Sequence, residues 1–348
     1  MTDLIVTNLN RNFTGVSSTA ARALGVQRNR YDAALVGHAL PGCPDPITVR
    51  QGWRLSRTTP KGRRFTIWHV RRNNEMRAAL WGRDVLRLPM KIVFTTAGTH
   101  RHSAFPRWLM SRMDALIATI PAAAENKPHI RAIVPHGVDT RIWRPAEDRA
   151  AAWAATGYPG SRGVAAIGRI RDSKGTDRFV EAMLQVLPKH PDVTALVLGM
   201  ARPQHEGFLK DLQDKAAAAG LADRLLFPGE IGPDVMPSLV RALSLTVPLP
   251  RYEPYGMTPL EGMASGVPFV GSPTGDFRTF AADGAAGIVV EEGDLVADAA
   301  GAVDMLLSDP DRLEAMSRLA RQRAVQVHSI EAEADGIGKV YEALWSEG

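Results

Sequence analysis

The chain has 348 residues, 45% hydrophobic and 23% charged, with one cysteine and a formal net charge of +5. These values exclude a disulfide scaffold and a disordered chain, and a chain this long calls for two domains. No apolar run approaches the ~20 residues of a membrane-spanning helix, and residues 1–6 lack a basic leader and read as a first strand. The strand covers residues 4–9, and a loop to Gly15 leads into a helix opened by Ser17, Ser18 or Thr19. Such a helix N-terminus attracts anions, so Gly15 is a candidate ligand contact; a plain connection is the bland alternative. Residues 32–40 form a second strand, and 41–64 are loop-rich and basic. Residues 65–70 form a third strand, and 73–87 have helical periodicity. The strand over 91–96 runs directly into His100, Arg101 and His102. Polar groups placed there sit where α/β sheets build sites. Zinc would need a third ligand, and none stands out, so contact with a polar or acidic substrate is the better functional reading; a solvated basic loop is an alternative of at least equal standing for either histidine. A helix and short strand over 107–118, a strand over 130–134 and a turn over 135–139 complete this half.

Residues 149–163 read as a crossover between domains. A strand over 163–170 leads to Arg169 and Lys174, two cations flanking a tight loop at a helix start. With free backbone N–H groups they make a diphosphate cradle. The order of residues is not that of a Walker loop, and two solvated surface cations are the alternative. Strands over 193–198, 225–227, 244–249 and 267–271 alternate with helices, the rhythm of a doubly wound sheet. The last two bracket the most informative stretch, residues 251–270, with Glu253 and Glu261 on either side of a Tyr255-Gly256 turn. Both acids can face one hydroxyl-rich molecule at the carboxyl end of the sheet. Thr258-Pro259-Leu260-Glu261 is also a capping box, which gives Glu261 a purely structural reading of equal standing. Glu253 has no such local role.

Charge is unevenly shared. Residues 1–145 carry 23 Lys and Arg against 8 Asp and Glu, and the remainder 19 against 29. The basic half calls for an anionic partner, whether nucleic acid, an acidic membrane surface or an acidic saccharide. The lone Cys43, in a Pro- and Gly-flanked loop, points to a reducing compartment.

Four motifs in this order resemble the retaining glycosyltransferases of family 4: residues 135–139 (PHGVD), 168–175 (GRIRDSKG), 253–268 (EPYGMTPLEGMASGVP) and 287–290 (GIVV) ahead of Gly293-Asp294. The third, with two glutamates eight apart, is highly specific. The chain as a whole is similar to bacterial mannosyltransferases of the lipopolysaccharide core. The resemblance implies the GT-B fold, an α/β architecture of two Rossmann-like doubly wound domains facing a cleft. Residues 1–145 would bind the acceptor and 146–329 the nucleotide sugar, with a final helix over 330–348 packing back on the first domain. It also implies site roles. Arg169 and Lys174 would hold the diphosphate and Glu253 the donor sugar, the three forming the catalytic set. Tyr255, Gly256, Met257 and Thr258 would supply backbone contacts to the donor and Glu261 would bind the ribose; Gly15 joins the donor site on its position at a helix start alone. His100, Arg101 and His102 remain acceptor-side candidates. The loop 274–278 departs from the family pattern.

The function so implied is retaining transfer of mannose from GDP-mannose to an anionic inner-core acceptor, Kdo on lipid A. No metal or other cofactor is required. The protein would be cytoplasmic and peripheral on the inner membrane, with no nucleic-acid partner. A UDP-sugar-dependent transferase of the same fold is the nearest alternative. A non-catalytic nucleotide or nucleic-acid binder is the alternative of another class.

Overall fold

The computed structural model describes all residues except Met1, His100, Arg101, Asn126 and Gly348. Two compact units divide the chain: residues 1–137 with 328–348, and residues 138–327. The first unit therefore ends eight residues earlier than 145.

The first unit is built on six parallel strands, β1 (Leu4–Asn8), β2 (Ala33–Gly37), β3 (Thr66–Val70), β4 (Met90–Thr96), β5 (Ala115–Ala118) and β6 (Ile130–Ile133), in the order β2-β1-β3-β4-β5-β6. Both faces are covered, so the strands are apolar on both sides, as parallel sheets require. Leu4, Val6, Leu35 and Ile67 pack on one face beneath Leu24 of helix Gly15–Gln27 and Tyr341 of helix Ile330–Glu347. Ile5, Val36, Trp68 and Ile92 pack on the other against Met76 and Leu109, from helices Asn73–Leu80 and Ala104–Ser111. The terminal helix is tied down by polar contacts as well. Trp345 Nε1 donates to the Phe65 carbonyl at 3.1 Å, and Glu333 accepts from the Gly137 N–H at 2.8 Å.

Two sequence expectations need correcting in this unit. The basic stretch 41–64 contains a helix, Val49–Leu55, whose Thr48 and Gln51 form a reciprocal capping box. The Thr-x-x-Gln signal was present but masked by the surrounding arginines. The helix expected over 73–87 ends at Leu80 and widens into a π-type turn over Trp81–Val85.

The second unit carries β7 (Arg162–Ile167), β8 (Val193–Leu198), β9 (Leu225–Gly229), β10 (Leu245–Thr246), β11 (Val270–Gly271) and β12 (Ile288–Val289). Four of them pair in the order β10-β7-β8-β9, and β11 pairs with β12. A parallel bridge between Thr246 and Phe269 links the two sets. Residues 149–163 are not a crossover. They hold helix Arg149–Ala154, capped by Asp148, and its Trp153 is 1% exposed. Only glycine fits opposite that ring, because a Cβ on Gly163 would lie 2.0 Å from it.

The terminal helix changes the charge balance of the physical units. The first holds 22 Lys and Arg against 12 Asp and Glu, the second 20 against 25. The first unit stays strongly basic even after the acidic helix joins it.

Candidate functional site

In the second unit, β8 lies on one side of β7 and β10 on the other. Between β7 and β10 the chain direction of the connections switches, and loops leaving the two strands diverge to open a crevice at their carboxyl ends. The loop after β7 begins at Gly168 (φ +150°), passes through a single 3-10 turn at Asp172–Lys174 and ends at Gly175 (φ +67°). A Cβ on Gly175 would lie 1.8 Å from the Leu249 carbonyl, so the two loops touch where only glycine can stand. Arg251 locks them further. Its guanidinium grips Asp177 at 2.8 and 2.6 Å, in a bidentate pair.

The loop after β10 carries Glu253 and turns at Gly256 into helix Met257–Ala264. Gly256, at φ +113°, is the N-cap, and a Cβ there would strike the Phe277 ring at 2.3 Å. This corrects the expected helix start. Thr258 lies inside the helix rather than at its cap, so the Thr258–Glu261 capping box does not form and Glu261 begins the second turn. The cap has no side chain and the first turn has no acid. The N–H groups of Met257 and Thr258 and the positive end of the helix dipole are left to whatever occupies the crevice. At the other end Gly266 is left-handed, and the Gly266 and Val267 N–H groups reach back to the Met263 and Gly262 carbonyls at 2.9 and 2.8 Å. That is a Schellman close.

The crevice is open to solvent on one side and is lined by Gly168, Arg169, Lys174, Glu253, Gly256 and Thr258, among others. Lys174 Nζ donates to Glu253 Oε2 at 2.7 Å, with both side chains mostly buried. Among the described residues the second oxygen, Oε1, receives a single long contact, from the Tyr255 N–H at 3.5 Å. Arg169 is exposed at the rim and makes no hydrogen bond or ion pair among the described residues. The crevice thus presents two cations, one carboxylate and a helix N-terminus to a single ligand. This set suits a diphosphate joined to a polyhydroxyl group.

Tyr255 does not line the crevice. It is turned inward against Phe280 and serves the loop structurally. Met257 and Glu261 are half-buried, and neither is among the residues that line the crevice. Gly15 lies in the first unit as the first residue of its helix, with an ordinary φ and open space where a Cβ would be. His102, also in the first unit, is half-buried just ahead of helix Ala104–Ser111, and His100 and Arg101 lie outside the described residues. Among the described residues no group of three His, Cys, Asp or Glu side chains could hold a metal ion.

Sequence reasoning missed a second polar cluster, at the switch between β1 and β3. Glu75 is fully buried and accepts from Thr7 Oγ1, the Leu9 and Arg71 N–H groups and Arg72 Nη1, at 2.9, 3.1, 2.7 and 2.9 Å. Arg72 also reaches Asn8, Thr14 and Ser17. Beside it Arg71 is 9% exposed, and its Nη1 has no hydrogen-bond partner. Burial lowers the pKa of this guanidinium. His69, fully buried between Tyr341 Oη and Thr95 Oγ1, is held well below the usual histidine range by burial, with Arg71 adding to the effect. The signal available was His69-Val70-Arg71-Arg72 straddling the end of a buried strand, where α/β sites sit.

Residues 157–323 match the family described as "Glycosyl transferases group 1". The chain is 38% identical to the lipopolysaccharide core biosynthesis mannosyltransferase LpsB of Rhizobium meliloti (strain 1021), covering 98% of this chain and 97% of that one. It is also 38% identical to the similarly named LpcC of Rhizobium leguminosarum bv. viciae, over 98% and 96%. Among solved structures, the C-terminal domain of a group 1 protein (LpcC) from Francisella tularensis is 34% identical, with a TM-score of 0.54, over 56% of this chain and 100% of that domain. The Anabaena protein HepE, solved with UDP, superposes with a TM-score of 0.82 over 98% of this chain and 100% of its own, at 16% identity. That likeness establishes the fold, which is GT-B. The two-sheet architecture, the crevice at the second switch point and the full-length relatives converge on one conclusion: this chain belongs to the group 1 glycosyltransferases and is a glycosyltransferase enzyme.

Proposed function

We propose that this enzyme transfers a mannosyl group from GDP-mannose, with retention of configuration, to an anionic sugar of the lipopolysaccharide inner core, Kdo on lipid A. The observation that carries the proposal is the Lys174–Glu253 pair at the uncapped start of helix Met257–Ala264, in a chain similar along its whole length to core mannosyltransferases. Arg169 and Lys174 take the diphosphate, whose charge also meets the helix N-terminus and the Met257 and Thr258 N–H groups. Glu253 accepts from donor-sugar hydroxyls, and Glu261 from the ribose.

The bond from the sugar anomeric carbon to the diphosphate oxygen breaks while the acceptor oxygen bonds to the same carbon on the same face. The acceptor proton passes to the departing phosphate oxygen, so the products are GDP and the glycosylated acceptor. Positioning and electrostatics do the work, and the reaction needs no metal. The acceptor's negative charge fits the first unit, which carries 22 basic against 12 acidic residues and holds the unsatisfied Arg71 Nη1. A lipid-linked acceptor makes the enzyme a peripheral protein on the cytoplasmic face of the inner membrane. No helix of the described residues is long and apolar enough to cross a membrane.

The test is calorimetric titration with GDP, UDP and ADP, followed by turnover of GDP-mannose on a Kdo-containing acceptor. Selective GDP binding with mannosyl transfer is expected. Preference for UDP would replace the donor and sugar while keeping the chemistry, and absence of nucleotide binding would sink the proposal.

A further inference from the structure

Helix Ala104–Ser111 buries Leu109 and Met110 and turns Phe105 and Trp108 outward. These two rings sit one turn apart and stack at 6.1 Å. The π-type turn Trp81–Val85 faces the same groove and adds Trp81 and Val85. Its backbone comes close to the core at Gly82, where a Cβ would lie 2.9 Å from the Trp53 ring. Trp81, Val85, Phe105 and Trp108 are each between 52% and 55% exposed. Four large apolar groups in one exposed patch mark an interaction surface.

The charges around the patch identify the partner. Arg77 and Arg112 line the groove, and Arg87 and Arg107 are exposed next to its apolar residues. The one acid in the lining, Asp84, is consumed by Arg83 at 2.7 Å and Arg112 at 3.2 Å. Tryptophan beside arginine is the composition that settles at a lipid headgroup boundary, where the ring is half buried and the cation meets lipid phosphate.

We propose that this patch is the surface by which the enzyme docks on an anionic phospholipid bilayer, Trp81 and Trp108 entering the interface and the arginines engaging headgroup phosphates. The proposal deepens the reading of a lipid-linked acceptor and rests on it. The test is cosedimentation of the full chain with phosphatidylcholine vesicles, with and without phosphatidylglycerol. Wild type should bind the anionic vesicles about tenfold or more tightly than the neutral ones. The doubly substituted Trp81→Ser/Trp108→Ser protein should lose at least about tenfold of that binding, and Arg77→Glu should remove part of the anionic preference. Circular dichroism should be unchanged for both variants, as should transfer to a soluble, delipidated acceptor. Vesicle binding that survives the double tryptophan variant would overturn the assignment of this surface, and so would absence of vesicle binding by wild type. A concentration-dependent oligomer abolished by the same variant would instead assign the patch to a second copy. Failure of wild type to transfer sugar to the soluble acceptor would overturn the proposed reaction without touching the vesicle result.

Discussion

Replacing Glu253 by Gln should move nucleotide binding and catalysis in opposite directions. Without ligand, Lys174 Nζ is held by Glu253 at 2.7 Å. A diphosphate must share that ammonium with the carboxylate and sit near a like charge. For two charges about 5 Å apart at an effective dielectric constant of about 20, the repulsion is about 3 kcal/mol. The crevice keeps 25% and 20% of the two side chains exposed, and salt reduces the figure to about 1–2 kcal/mol. Glu253→Gln should therefore tighten GDP binding by about 5- to 30-fold. The same change removes the acceptor for sugar hydroxyls, so kcat should fall by about a hundredfold or more. Lys174→Met is the control. It removes a charged hydrogen bond to the phosphates and should weaken GDP binding by about 10- to 150-fold. Calorimetry with GDP and initial rates with GDP-mannose measure both quantities. Weaker GDP binding in both variants, or transfer by Glu253→Gln within about threefold of wild type, would refute the placement of the diphosphate at this pair.

Gly256→Ala should destabilise the second unit by about 2–5 kcal/mol, combining left-handed strain with overpacking against Phe277, read from denaturant melts. Arg71→Met should change stability by less than about 1 kcal/mol, because the cost of burying the cation, with its Nη1 unbonded, offsets its attraction to Glu333 and Glu75. It should raise the acceptor KM about tenfold while leaving GDP affinity alone; unchanged KM would remove Arg71 from acceptor binding. His69 has a depressed folded-state pKa, so below the ordinary histidine value the unfolded chain binds a proton that the native protein refuses. Stability should then fall with acidification below about pH 6.5, at up to about 1.4 kcal/mol per pH unit. The slope should flatten in His69→Gln, and an unchanged slope would assign the acid sensitivity elsewhere.

Much of the fold was legible in the chain because parallel strands buried on both faces are continuous apolar runs, and the residues after them carry the chemistry. Residues 4–9 and 193–198 needed no tertiary information, and the cations after β7 and the acid after β10 stood out because neither served its local element. Helix Val49–Leu55 was missed among arginines, and the start of helix Met257–Ala264 was misplaced by two residues. In the second case local capping rules favoured Thr258, while the contact of Gly256 with Phe277, 21 residues on, decided the outcome.

The sequence by itself determined the class of architecture, the separation of charge and the residue types available for a diphosphate, since all three follow from pattern along the chain. Only the tertiary structure decided which of those residues meet. It joined Lys174 to Glu253 across 79 positions and Glu333 to Gly137 across 196. It also left Arg71 buried without a partner for its Nη1 and turned two tryptophans to the surface. The physical reason is that strand order, not chain order, sets neighbours at the carboxyl edge of a parallel sheet. A crossover that reverses at β7 brings together loops whose sequences carry no sign of each other.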